Sequence, residues 1–98
     1  MLFYKGYRVD PGELEELVSR FRGVRAAVVV GRPDPSVGEL PVALVVPHSP
    51  GAVDIDGLLA RVAGAVPRYK RIHDVVFVDE LPATPEGRAR AARRTQGR

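Results

Sequence analysis

In "YKGYRV", residues 4–9, bulky and polar side chains alternate around Gly6, which predicts a short strand doubled back through a tight bend. The period then changes. In "DPGELEELVSRFRG", Leu14, Leu17, Val18 and Phe21 recur at i, i+3, i+4 and i+7, the spacing of one apolar helix face. Asp10 stands at the N-cap, Pro11 at the first helical position, Glu13 where it completes a capping box, and Gly23 where it closes the C-terminus. "VRAAVVVG" and "LPVALVVP" are β-branched runs of strand length that read as sheet neighbours, joined by "RPDPSVGE", whose prolines and glycine suit a long hairpin loop and break a helix. A second helix follows in "DIDGLLARVAGAVP", with Ile55, Leu58, Leu59, Val62 and Val66 on one side and Pro67 at its end. "DVVFVDELP" is a third strand. The predicted fold class is α+β: a small three-stranded sheet with flanking helices and a short N-terminal β-hairpin, in one domain, residues 1–98. A ferredoxin-like arrangement of the same elements is the alternative.

Composition narrows the chemistry. Ninety-eight residues, 45% of them hydrophobic and 28% charged, suffice for one packed core. With no Cys there is no disulfide framework and no thiolate, and His48 and His73 lie too far from patterned partners to suggest a metal site. No apolar run is long enough to span a bilayer and no secretory signal opens the chain, so no membrane partner is expected and a cytoplasmic location is the default. The net charge of +3 is local: residues 88–98 hold five arginines and no acid, whereas the preceding ten basic residues are outnumbered by the twelve acidic ones. The basic tail, residues 83–98, therefore carries the excess.

Several charged groups invite functional readings. Glu13, Glu15 and Glu16 resemble paired carboxylates for acid–base work, but they fall in the first turns of a helix, where acids favourably face the dipole. Arg68, Lys70 and Arg71 interleave with Tyr69, a pattern shared by single-strand nucleic-acid binders and by solvated ridges. The arginine tail reads equally as a solvated helical end. Lys5, Gly6 and Tyr7 by themselves read as a hairpin turn.

Four stretches in order, "YKGYRVDPGELEELV", "GVRAAVVVGRPDPSVGELPVALVVP", "VPRYKRIHDVVFVDELPATPEGR" and "RARAARR", resemble the C-terminal domain of the adenylate-forming superfamily, which includes acyl-CoA synthetases, nonribosomal peptide synthetase adenylation domains and luciferases. "VGELPVALVV" and "PRYKRI" look most like the acyl-CoA and aryl-CoA ligase branch. The resemblance covers essentially the whole chain. It implies a lid that turns over a large N-terminal domain between two half-reactions, presenting a lysine for carboxylate adenylation and then a Lys-Gly-Tyr loop for thioester formation.

Placed on this sequence, the resemblance assigns Lys5, Gly6 and Tyr7 to the CoA or pantetheine loop and Arg8 to a position near the nucleotide. The family's "P-x-x-x-x-G-K" reads here as "PATPEGR", residues 82–88, so Arg88 occupies the catalytic-lysine position. Arginine keeps the charge but presents a planar fork in place of a compact ammonium. Phe3 stands where many CoA ligases carry a lysine. The resemblance further implies ATP, magnesium and CoA as cofactors of the complete enzyme, none of them held by this domain alone. The implied partner is an N-terminal adenylating domain, fused or separate, with CoA or a carrier-protein pantetheine as acceptor. The isolated chain is not expected to be an enzyme. A non-catalytic interaction module and a small basic nucleic-acid binder are the competing readings, the latter disfavoured by a near-neutral body.

Overall fold

The computed structural model describes residues 1–94; the last four residues of the basic tail, Arg98 among them, lie outside the described residues. The elements run β1 (Leu2–Tyr4), β2 (Tyr7–Val9), α1 (Pro11–Ser19), β3 (Val24–Asp34), β4 (Gly38–Pro47), α2 (Ile55–Ala65), a 3-10 turn (Arg68–Lys70), β5 (Asp74–Phe77) and α3 (Pro85–Ala92). The α+β class with an N-terminal hairpin is as the pattern predicts.

The spine of the sheet is β4. It pairs antiparallel with β3 along nearly its whole length, and on its other edge it pairs parallel with β5 and meets β1 at Tyr4↔Gly38. The sheet therefore has five strands, not three, because the hairpin β1–β2 is joined to it. Gly38 makes the junction possible: its φ is +94°, and a Cβ there would stand 2.9 Å from the Phe3 carbonyl oxygen.

Alternation along each strand divides the core between the two faces. One face, with Val29, Ala43, Val45 and Val75, packs against Leu14 and Val18 of α1 and Leu58 and Val62 of α2. The other, with Val28, Val42, Leu44 and Val76, is covered by α3, which buries only Ala91 and Ala92.

Three local expectations are corrected. The capping box does not close: the Asp10 carboxylate accepts from the Gly12 N–H at 2.9 Å, but Glu13 turns away to pair with Lys70 at 3.1 Å. Helix α1 ends at Ser19, four residues before Gly23, and the intervening chain turns through Phe21 N–H to Val18 O and Val24 N–H to Phe21 O bonds. Most of the expected 32–39 loop is strand. Pro33 pairs with Glu39 because β3 lies at the sheet edge, where the missing N–H of proline costs no ladder bond.

Candidate functional site

The bend predicted around Gly6 is a two-residue hairpin turn. Both central residues have positive φ, Lys5 at 51° and Gly6 at 82°, the pattern of a type I′ turn that matches strand twist. Lysine is costly in this region, and its conformation is held from outside: the Lys5 N–H donates to the Val37 carbonyl at 2.7 Å. Val37 is fixed in turn by Asp34, whose carboxylate accepts from the Ser36 N–H, the Ser36 hydroxyl and the Val37 N–H. The hydrogen bonds from Ser36 hold the Asp34 carboxyl below the ordinary carboxylate range. A Cβ at Gly6 would meet nothing within 4 Å, so the turn faces open space.

Lys5, Gly6, Tyr7 and Arg8 are all exposed. A groove of about 250 Å³ beside the turn is lined by Tyr4, Lys5, Tyr7, Arg68 and Tyr69. Tyr7 stacks on Tyr69, and the Lys5 ammonium lies 5.5 Å from the Tyr4 ring centroid. His73 closes the cluster behind Tyr4, ring to ring at 5.0 Å. Desolvation, with the Lys5 charge adding to it, lowers the His73 pKa from its ordinary 6.5, against a smaller opposing pull from Asp34.

Arg88 sits in the middle of α3. The helix starts at an N-cap Thr84 whose hydroxyl accepts from the Gly87 N–H at 3.0 Å, with Pro85 in its first turn. Arg88 is half-buried, and its Nε donates to the Pro82 carbonyl at 2.9 Å, which ties the guanidinium to its own loop. It lines a cavity of about 500 Å³ together with Met1, Leu2, Gly31 and Glu39. The structure thus brings Lys5, Gly6 and Tyr7 together but puts Arg88 elsewhere: the turn is at one end of the hairpin, and Arg88 faces the other end through Met1 and Leu2.

The glutamates of α1 are structural. Glu13 pairs with Lys70, Glu16 with Arg20 at 2.6 Å, and Glu15 accepts from the Val29 N–H at 3.0 Å. Lys70 is therefore engaged, its pKa raised by the hydrogen bond to Glu13, and the Arg68–Arg71 segment is not a free cationic stripe. Sequence reasoning missed the Tyr7–Tyr69 stack and the contacts of Arg32, since no spacing rule links residues that far apart. Phe3 is exposed, beside Arg8 in register. Among the described residues no three His, Cys, Asp or Glu side chains come together to hold a metal ion.

Known proteins share this architecture. The family model described as AMP-binding enzyme C-terminal domain matches residues 13–88, a span that begins beyond the Lys5–Gly6 turn and ends on Arg88. The 4-coumarate–CoA ligase 5 of Oryza sativa subsp. japonica is 40% identical over 88 residues, 90% of this chain and 16% of that protein. Among solved structures, ATP-bound MatB from Rhodopseudomonas palustris aligns with a TM-score of 0.80 at 29% identity, covering 87% of this chain and 17% of that one. A fatty acyl CoA synthetase of Mycobacterium tuberculosis aligns with a TM-score of 0.79, also at 29% identity, over the same shares of the two chains. The chain spans only 16% of the length of curated relatives that it matches. On a family match that takes in most of its length, the chain belongs to the AMP-binding enzyme C-terminal domain family of the adenylate-forming superfamily.

Proposed function

We propose that this domain is the moving lid of an AMP-forming acid–thiol ligase and works with an N-terminal adenylating domain, fused to it or separate. In this reading the α3 arm serves carboxylate adenylation, with Arg88 facing charge that develops on the phosphates, and the Lys5–Gly6–Tyr7 turn serves thioester formation. ATP and magnesium belong to the partner domain. CoA is the favoured acceptor, because the relatives are named as CoA ligases. Its thiol is the nucleophile of the second step.

The residues of the groove fit such an acceptor. Lys5 and Arg68 supply cations for phosphates, the rings of Tyr4, Tyr7 and Tyr69 supply flat apolar faces, and Gly6 leaves the backbone open to a thin flexible arm. The observation that carries the reading is this turn, strained at Lys5, braced by Val37 and empty at Gly6. Strain held in place at an exposed loop fits a working surface better than a plain connector.

Reconstitution tests the proposal. The chain mixed with, or fused to, an adenylating domain should permit ATP-dependent thioester formation that the adenylating domain alone does not achieve, and the isolated chain should show no ATP–pyrophosphate exchange. Exchange by the pure chain, or thioester formation independent of it, would sink the lid assignment.

A further inference from the structure

The helix that carries Arg88 is poorly anchored by apolar contact. Of its residues only Ala91 and Ala92 are buried, whereas α1 and α2 set leucines and valines into the opposite face of the sheet. Two small side chains do not fix the axial position or the rotation of a two-turn helix. Among the described residues, the hydrogen bonds that tie its C-terminal end to the sheet come from one side chain of β3. The Arg32 Nε donates to the Ala92 carbonyl at 2.5 Å, and its Nη2 donates both to the Arg94 carbonyl at 2.6 Å and to the Asp74 carboxylate of β5 at 2.8 Å.

The geometry suits the task. Arg32 follows Val28 and Val30 on the face that α3 covers, and Asp74 precedes Val76 on that face. Their ion pair thus spans β4, and both side chains are about one-fifth exposed. Carbonyls at a helix C-terminus have no partner within the helix and carry the negative end of its dipole, so a guanidinium there answers both deficits. The planar fork donates from two nitrogens held a fixed distance apart, Nε and Nη2, whereas a lysine ammonium would have to reach all three acceptors from a single nitrogen.

We infer that Arg32 is a positioning residue for the adenylation arm: it clamps the C-terminal end of α3 to β3 and β5 and so sets where Arg88 stands, while touching no substrate itself. This rests on the lid reading above, in which the α3 arm serves adenylation and the Lys5 turn serves thioester formation. Neither Arg32 nor Asp74 lines the groove beside the turn, so loosening the clamp should divide the two half-reactions.

The test uses the chain paired with or fused to an adenylating domain, both as it stands and with Arg88→Lys. Single-turnover adenylate formation should fall roughly ten- to hundredfold on Arg32→Ala, the scale of a displacement of about 1 Å in a catalytic group. Thioester formation from supplied acyl-adenylate should change less than about twofold, because contacts made in that step are untouched. Asp74→Asn, which weakens the ion pair and leaves both carbonyl contacts, should fall between. Arg32→Lys should resemble Arg32→Ala. Amide hydrogen exchange on the same proteins should show faster exchange in α3 and unchanged protection in α1 and α2. Equal losses in both half-reactions, or exchange raised throughout, would make Arg32 a general fold residue and overturn the inference. A loosened α3 with adenylation intact would also overturn it. If the unsubstituted pair and its Arg88→Lys form both lack adenylation, the lid reading fails and the positioning role fails with it, although the exchange data would still report the clamp.

Discussion

The ring of Tyr7, at the exit of the strained turn, stacks on that of Tyr69 in the 3-10 turn, with centroids 4.4 Å apart and planes inclined by 21°. An aromatic pair of this kind contributes about 0.5–1.5 kcal/mol beyond its buried area. Tyr69→Ala should therefore loosen the hairpin and slow thioester formation by the reconstituted enzyme about three- to tenfold, while adenylate formation stays within about twofold. A stopped-flow comparison of the two steps decides it; a loss confined to adenylation would contradict the assignment of the turn.

Replacing Gly6 separates strain from obstruction. Gly6→Ala meets no atom within 4 Å, so its cost to folding is that of a positive φ, about 1 kcal/mol, readable as a small drop in the urea midpoint. Gly6→Leu should cost the fold little more yet reduce thioester formation far more, since the added bulk stands in the space offered to the thiol arm. Matching losses in stability and thioester rate across the series would argue against that space being used.

Arg88→Lys should raise the rate of adenylate formation by the reconstituted pair. In the structure the guanidinium donates through Nε to the Pro82 carbonyl and is committed to its own loop, a contact that a lysine ammonium on a shorter head would surrender. A well-placed charge contact is worth about 3 kcal/mol, so the gain has a ceiling of roughly a hundredfold. An unchanged or slower adenylation would show that arginine is the working residue at this position.

The His73 imidazole should titrate below 6.5, because it is desolvated against Tyr4 and faces the Lys5 charge. The folded chain then binds this proton less readily than the unfolded chain, so the contribution of His73 to stability falls as pH drops from 6.5 through the folded value. Lys5→Gln should move the titration upward and Asp34→Asn should move it further down, both followed by NMR of the imidazole protons. A Lys5→Gln value equal to or lower than that of the unsubstituted chain would reject the electrostatic coupling of His73 to the turn.

Elements and core were legible where the signal is local. The heptad-like spacing of Leu14, Leu17 and Val18 and the β-branched runs around Val28 and Val45 located α1, β3 and β4, and Asp10 and Pro11 marked a helix start within one residue. What failed depended on partners distant in sequence. Glu13 was placed in a capping box by spacing alone, but Lys70, 57 residues away, competes for its carboxylate. The hairpin was expected as a satellite of the sheet, because nothing near Tyr4 announces that Gly38 will receive it. For the candidate site, Lys5, Gly6 and Tyr7 were visible as a turn, while its bracing by Val37 and its aromatic wall at Tyr69 arise only when the chain is folded. Arg32 gave no signal, since its role depends on where α3 ends.

The outer edge of β3 exposes main-chain donors next to a run of valines, the kind of margin along which separate molecules add to one another's sheets. Glu15 reaches over from α1 and occupies the Val29 amide, placing a carboxylate on that margin. Its consequence is colloidal: a stranger's strand that tried to dock at Val29 would have to displace a bonded carboxylate and bury its charge, which opposes edge-to-edge addition at that point of the margin.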